Sequence, residues 1–418
     1  MKSKLKGYFW PQGSKEKVAM NLSITDGSLW SVYSNMTTPY IVPFVVFLIG
    51  SNAPIGLITG IPVLMTPIAQ LFAYRYSGRT KNIRNLTILI TFFDRLIWIP
   101  LALLSLFEGY YLLVYLIIAL LSFRFFFASF SSTTWTLWVP GMIRKKHRPT
   151  YFSFRNFIMG IFGLFGYVLA LLVFYTTESA KMYSFLVIFI VGFIFSMASL
   201  LVMKGIPDYP IAKRKNYQTI KTTKSFSYFM FFTFVWFLGY EMSQPYFSLY
   251  IVGNKFLNAG NEWFSVIFFV IALSAISTQM YWGKFILKHS ATRTIFLSSI
   301  VLSVMPLVWF TIKDPYLLLI PAVLMGVFGG GVTLAIFNEM LNRTDAKRVK
   351  YISIYNTLQP IALGLGPILG NGLFDYGSNI LLVFTTSSAI MFAAVLILLA
   401  IYFLRHITTK QEGQRLVF

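Results

Sequence analysis

Twelve long apolar runs dominate the sequence, and each is long enough to cross the roughly 30 Å hydrocarbon core of a bilayer as a helix. Hydrophobic residues make up 57% of the 418 positions and charged residues only 11%, which excludes a soluble domain of ordinary composition. We therefore predict an all-α polytopic membrane protein with twelve transmembrane helices. The predicted spans are 22–50, 54–74, 86–107, 110–139, 151–176, 181–203, 225–252, 260–283, 293–312, 315–341, 351–374 and 379–404.

The distribution of basic residues predicts the orientation of these spans. Of the 35 lysines and arginines, 29 fall in the tails and even-numbered connections, three in odd-numbered connections and three in or beside spans. Basic residues concentrate on the cytoplasmic side of membrane proteins, so both termini are expected in the cytoplasm and the chain in the cell membrane. The net charge of +22 then reflects these connections, and no nucleic-acid partner is expected.

An internal repeat relates the two halves of the chain. The segment Asn35–Tyr40 aligns with Glu241–Tyr246 through a shared Pro-Tyr pair, and Tyr151–Asn156 aligns with Tyr351–Asn356. Two six-helix halves related by a parallel repeat are the architecture of one large class of secondary transporters. The predicted order is cytoplasmic tail, N-terminal bundle, central cytoplasmic loop, C-terminal bundle and cytoplasmic tail, at 1–21, 22–204, 205–224, 225–404 and 405–418.

Short motifs occupy corresponding connections and spans of the two halves. They are Gly78, Arg79, Arg124, Trp282–Lys284, Arg293 and Gly364–Gly370. With these motifs the chain resembles the major facilitator superfamily, in a prokaryotic branch, although the acidic residue of that family's loop motif is missing. The resemblance implies transport by alternating access without a cofactor. It also implies a gating role for the cytoplasmic-loop positions Gly78, Arg79, Gly283 and Arg293.

Polar residues inside the spans are the candidates for a substrate site. Glu241 is a carboxylate within an apolar span, where an acidic residue costs about 2.5 to 3.5 kcal/mol on insertion scales. Its repeat partner Asn35 offers a neutral hydrogen-bonding group, which suits a polar organic solute better than a bare ion. The predicted substrate-binding residues are Asn35, Thr38, Arg124, Trp135, Glu241, Gln244, Gln279 and Gln359.

Two interpretations of Arg124 remain open at this stage. It lines a cavity, with small polar residues following it at helical spacing, or it pairs structurally with Asp94 of the third span. Because Asp94 and Arg95 are adjacent on a helix, we expect them to point to different faces and not to neutralise each other. Asp26 and Glu339 are expected near solvated cytoplasmic helix ends.

The sequence favours a secondary active transporter of a small organic solute over an enzyme. No phosphate-binding loop occurs, and the three histidines are assigned to loops or the tail. Besides Asp94, Glu241 is the only carboxylate deep in a span, so proton coupling is expected to run through Glu241. A lipid flippase or scramblase and an uncoupled facilitator are the alternatives. The expected partners are the lipid bilayer, a small-molecule substrate and protons, with the chain acting as a monomer and holding no metal.

Overall fold

The structure is a computed structural model that describes residues 14–50, 53–80, 82–144, 148–177, 181–208, 224–342, 348–376 and 379–415. Twelve long helices follow one another through these residues, and the predicted all-α fold of two six-helix bundles is confirmed. The helices are α1 (Ser14–Thr37, continued by Ile41–Ile49), α2 (Ile55–Ser77), α3 (Ile83–Leu104), α4 (Leu113–Met142), α5 (Arg148–Thr176), α6 (Lys181–Lys204), α7 (Lys224–Val252), α8 (Gly260–His289), α9 (Ala291–Thr311), α10 (Leu319–Asn342), α11 (Arg348–Asp375) and α12 (Ile380–Arg415).

Ten of these helices are both long enough and apolar enough to cross a membrane, within the part of the chain that the structure describes. The other two, α7 and α11, have 29 and 28 residues and so are long enough, but they are less apolar. Both carry polar side chains at mid-helix, including Glu241 and Gln244 in α7 and Gln359 in α11.

The repeated Pro-Tyr pair has a different backbone in each half. In α1 a single 3-10 turn at Thr38–Tyr40 interrupts the helix, because a proline has no amide hydrogen and its ring clashes with the preceding turn. In α7 the helix continues through Pro245. The two halves are therefore related in sequence without being identical in local geometry.

Within each half, the first helix of the half makes the most extensive contacts. Helix α1 packs against α5 and α6, and its counterpart α7 packs against α11 and α12. Between the halves, the largest contacts join α2 to α11 and α5 to α8. Because α2 corresponds to α8 and α5 to α11 in the repeat, this interface is pseudo-symmetric.

The two halves meet closely at one face of the bundle. We call the face where α1 begins and α12 ends the terminal face, and the opposite one the far face. Gly56 of α2 lies directly against the Pro367 carbonyl and Asn371, and Gly60 lies against Gly364 and Ile368. Glycine allows such close approach of two helix backbones because it has no Cβ.

A hydrogen bond between the halves also lies toward the far face. The Tyr40 hydroxyl of α1 donates to the Ser265 Oγ of α8 over 2.7 Å, and the Tyr40 ring packs edge-on against Phe264. Tyr246, the repeat partner of Tyr40, is fully buried in α7 and lies beside Gly370 of α11. Paired tyrosines therefore belong to the packed region at this face.

Candidate functional site

A cavity of about 520 Å³ lies within the first six helices, between mid-bundle and the terminal face. Its size is in the range of small-molecule sites in proteins. Asp94 and Arg124 lie at its mid-bundle end, whereas Trp135, Arg155 and Met203 lie toward the terminal face. Uncharged polar groups on its wall come from α1, α2 and α4, and they include Tyr33, Thr66, Gln70, Ser129, Ser131, Ser132 and Thr133.

An ion-pair cluster forms the mid-bundle end of the cavity. The Arg95 Nη1 donates to Asp94 Oδ2 over 2.8 Å, and Arg124 Nε lies 3.9 Å from Asp94 Oδ1. All three side chains are buried, with 2%, 3% and 7% of Asp94, Arg95 and Arg124 exposed. The Asp94 carboxylate therefore lies next to two guanidinium groups.

The expectation that Asp94 and Arg95 would not neutralise each other is wrong. Neighbouring helical residues are about 100° apart, but the long arginine side chain curls back far enough to reach the carboxylate beside it. Arg95 also donates to the Tyr33 hydroxyl of α1 and lies over the Tyr33 ring, with its guanidinium carbon 4.4 Å from the ring centre.

Arg124 combines both roles that the sequence left open, because it lines the cavity and also pairs with Asp94. Its Nη2 donates to the Thr38 Oγ1 over 3.2 Å, and its guanidinium carbon lies 4.7 Å from the Trp98 ring centre. Its Nε makes no hydrogen bond within the described part of the chain. Thr38 and Arg124, both predicted as substrate-binding residues, are therefore in direct contact.

Arg155 and Asp26 lie at the end of the cavity that is closer to the terminal face. The Arg155 Nε donates to the Ser23 carbonyl over 3.2 Å, and its guanidinium carbon lies 4.7 Å from the Trp135 ring centre. Asp26 Oδ1 accepts a 2.7 Å hydrogen bond from Ser199 of α6. The cavity wall thus carries three arginines and two aspartates.

The sequence interpretation of Asp26 as a solvated helix end is wrong. Only 4% of Asp26 is exposed, because α1 begins at Ser14 rather than near residue 22 and the additional turns place Asp26 inside the bundle. Glu339 is also buried, with 9% exposed. An apolar run predicts the membrane span but not the first turns of the helix, which here contain the basic residues Lys15 and Lys17.

Three other predicted substrate-binding residues lie elsewhere in the two halves. Asn35 of α1 packs against Gly163 and Gly166 of α5, and Glu241 of α7 packs against Gly366 of α11. Gln244 has a buried amide nitrogen with no hydrogen-bond partner within the described residues. None of the three is among the residues that line the 520 Å³ cavity.

Gln279 and Gln359 lie on α8 and α11, the two helices of the second half that contact the first half most. Gln279 is exposed and Gln359 is half-buried, and neither lines the cavity. Of the eight predicted substrate-binding residues, Arg124 and Trp135 line the cavity, and Thr38 lies behind its wall in contact with Arg124.

The predicted gating positions lie near the terminal face, outside the cavity. Gly78 and Arg79 are exposed in the turn between α2 and α3. Gly283 faces open space near the end of α8, and Arg293 lies in the first turn of α9. Their gating role remains a prediction.

Sequence reasoning passed over Asp26, Tyr33, Gln70 and Arg155 as members of one site. The signal that could have found most of them is their depth, since Asp26, Gln70 and Arg155 lie about two to three turns from the terminal end of a first-half helix, with Tyr33 deeper on α1. Polar residues inside three helices mark a common chamber when the helices form one bundle.

Comparison with known proteins supports the fold. The sequence profile of the Major Facilitator Superfamily matches residues 229–416, and no curated protein matches the sequence. A mutant of the nucleoside transporter NupG superposes with a TM-score of 0.68 at 12% identity, covering 93% of this chain and 100% of that one.

Two further solved structures are similar over almost their full length. A bacterial homologue of the iron transporter ferroportin, in an inward-facing state, has a TM-score of 0.68 at 11% identity and covers 92% of this chain and 98% of that one. A bacterial metal transporter has a TM-score of 0.66 at 12% identity and covers 94% of this chain and 100% of that one. The family profile confirms the resemblance to the major facilitator superfamily for the second half of the chain, and the solved structures share the fold over 92–94% of the chain.

Proposed function

We propose that this protein moves a small organic solute across the membrane by alternating access. The observation that carries the proposal is the combination of a polar cavity toward the terminal face with a close backbone contact between α2 and α11 toward the far face, where a separate cavity of about 530 Å³ lies between α1 and the start of α8. A solute in the cavity then has access to one side only, and rocking of the two halves exchanges the open and closed faces. On the charge argument, the terminal face is cytoplasmic, and the described conformation is the inward-open one.

Cysteine accessibility tests this assignment directly, because the natural sequence contains no cysteine. A Gln70→Cys variant should react with a membrane-impermeant maleimide added from the terminal face, since Gln70 lines the cavity. An Asn254→Cys variant, exposed in the loop at the far face, should react from the other side. Labelling of both positions from the same side in oriented vesicles would contradict the proposed conformation.

We assign proton coupling to Glu241 as part of the same proposal. The side chain is half-buried in α7 against Gly366, and among the described residues no lysine, arginine or histidine lies within ion-pair distance of it. A carboxylate without a fixed cation can take up and release a proton as the open face changes. Each proton that moves down a 100 mV potential contributes about 2.3 kcal/mol to accumulation of the solute.

The Glu241→Gln variant should retain solute exchange but lose accumulation driven by a pH gradient. The solute comes from a thermal-shift screen, in which a ligand at 100 times its Kd adds about 2.7 kcal/mol of stability. Exchange without a gradient and gradient-driven accumulation are then measured in proteoliposomes for wild type and variant. Glu108→Gln, which removes an exposed carboxylate between α3 and α4, is the control for the loss of a negative charge. Unchanged accumulation in Glu241→Gln would show that this carboxylate is not the coupling group.

A further inference from the structure

We infer that the cavity of the first half selects organic anions that carry a flat apolar group. This inference rests on the proposed transport function and names the class of its substrate. The anionic group would bind at Arg124, Arg155 would add positive charge at the other end of the cavity, and the flat group would pack against the aromatic wall formed by Trp30 and Trp135.

The cavity has an excess of one positive charge when its five ionisable side chains are all charged. Asp94 forms its short contact with Arg95, at 2.8 Å, so the opposing charges of this pair are largely satisfied by each other. The second contact of Asp94, to Arg124, is 3.9 Å long and is not a hydrogen bond. Arg124 is therefore the arginine of this cluster that has capacity for another anion.

The hydrogen-bonding state of Arg124 leads to the same conclusion. The residue is 7% exposed, and its Nε has no acceptor within the described part of the chain. Its described side-chain hydrogen bond goes to the neutral Thr38 hydroxyl. The Nε is buried and faces Asp94 Oδ1, so the Nη groups are the donors that a carboxylate, sulfonate or phosphate oxygen would use.

Arg155 supplies the second cationic group, at the end closer to the terminal face. Its only described hydrogen bond is donated to the Ser23 backbone, and no carboxylate lies within ion-pair distance of it among the described residues. The Asp26 carboxylate on the same wall accepts a hydrogen bond from Ser199. Arg155 is thus held by a neutral acceptor and by the Trp135 ring, which leaves its positive charge available to a ligand.

Gly27 accounts for the position of the Arg155 guanidinium. A Cβ atom at residue 27 would lie 2.7 Å from Arg155 Nη2 and 2.8 Å from the Met159 Sδ. Both atoms are at the ends of flexible side chains, so a methyl group there would displace the guanidinium without breaking the α1 backbone. The Gly27→Ala variant therefore moves the charge and keeps the arginine.

Three probes with one ring and different charges test the inference. They are benzenesulfonate, neutral benzenesulfonamide and cationic benzylammonium, titrated against the purified full chain with thermal unfolding as the readout. Benzenesulfonate should stabilise the protein, and the other two should not, because a cation is repelled and a neutral amide leaves both guanidiniums without a counter-charge. Equal or greater stabilisation by either of the other probes would overturn the inference. So would the absence of stabilisation by benzenesulfonate at about 10 mM, which is ten times a Kd of about 1 mM.

The variants identify which arginines act. Arg155→Gln and Arg124→Gln should each weaken benzenesulfonate binding by about tenfold, and Gly27→Ala should weaken it by a smaller factor. The control is Arg144→Gln, which removes an exposed basic residue just after α4, where Arg144 pairs with Glu16. Benzenesulfonate affinity that is unchanged in all three cavity variants, with the proteins folded, rejects this site.

Failure of the inference and failure of the transport function give different results. Labelled benzenesulfonate is followed by counterflow in proteoliposomes, since its permanent charge prevents passage through the lipid. Binding that depends on Arg124 and Arg155 without counterflow would support the anion site and count against the transport of this anion. Counterflow of a neutral solute by a protein that does not bind the sulfonate would support transport and reject the anion site.

Discussion

Replacing Gly60 with valine should reduce transport by roughly fivefold to more than a hundredfold while leaving both six-helix bundles folded. A side chain at residue 60 would meet the Gly364 carbonyl and would lie 2.7 Å from Ile368 Cγ1. Overpacking of this kind costs about 1 to 3 kcal/mol, and every 1.4 kcal/mol changes a population ratio about tenfold. Because the clash lies between α2 and α11, it acts on the closed far face and not on either bundle alone.

The measurement combines transport with accessibility. In the Gly60→Val background, a cysteine at residue 70 should become less reactive from the terminal face, because the population shifts toward the state that is open at the far face. Gly372→Val is the matched control on α11, since a Cβ added there meets no atom within 4 Å. Normal transport by Gly60→Val, or an equal loss in Gly372→Val, would show that the α2–α11 contact does not gate the cycle.

The number and the approximate limits of the helices were predictable because lipid imposes a length and a composition on each span. The clearest shift is at α1, which starts at Ser14, eight residues before the predicted span. Basic side chains in the first two turns of a membrane helix can reach polar surroundings, so a helix can begin before its apolar run does. Because α1 starts earlier, Asp26 lies inside the bundle as a buried cavity residue and not at a helix end.

The candidate site was less predictable because it depends on contacts between distant helices. Arg124 and Trp135 could be found from their spacing along one helix, and Thr38 from its place beside the repeated Pro-Tyr pair. The pairing of Arg124 with Thr38 depends on the break in α1 at Thr38–Tyr40, which hydropathy does not reveal. Side-chain reach also determines the Asp94–Arg95 pair, and a helical wheel contains no information on side-chain torsions.

A second prediction separates the arginine that stabilises the bundle from the one that is available to a ligand. Arg95→Ala should cause loss of folded protein, because it leaves Asp94 buried with only the 3.9 Å contact to Arg124 and removes the donor to the Tyr33 hydroxyl. Breaking a buried ion pair by removing one partner typically costs about 3 to 5 kcal/mol. Arg124→Ala should remain folded, because Asp94 keeps its 2.8 Å bond to Arg95.

The two single variants are compared by yield in size-exclusion chromatography and by thermal unfolding in the same detergent. Arg124→Ala should give folded protein, since the hydrogen bond to Thr38 that it loses contributes only about 1 kcal/mol. The variant should not transport, because it lacks the guanidinium proposed to bind the substrate. Equal destabilisation by Arg95→Ala and Arg124→Ala would mean that the two guanidiniums hold Asp94 jointly. Arg124 would then be a structural residue, with no capacity left for a substrate.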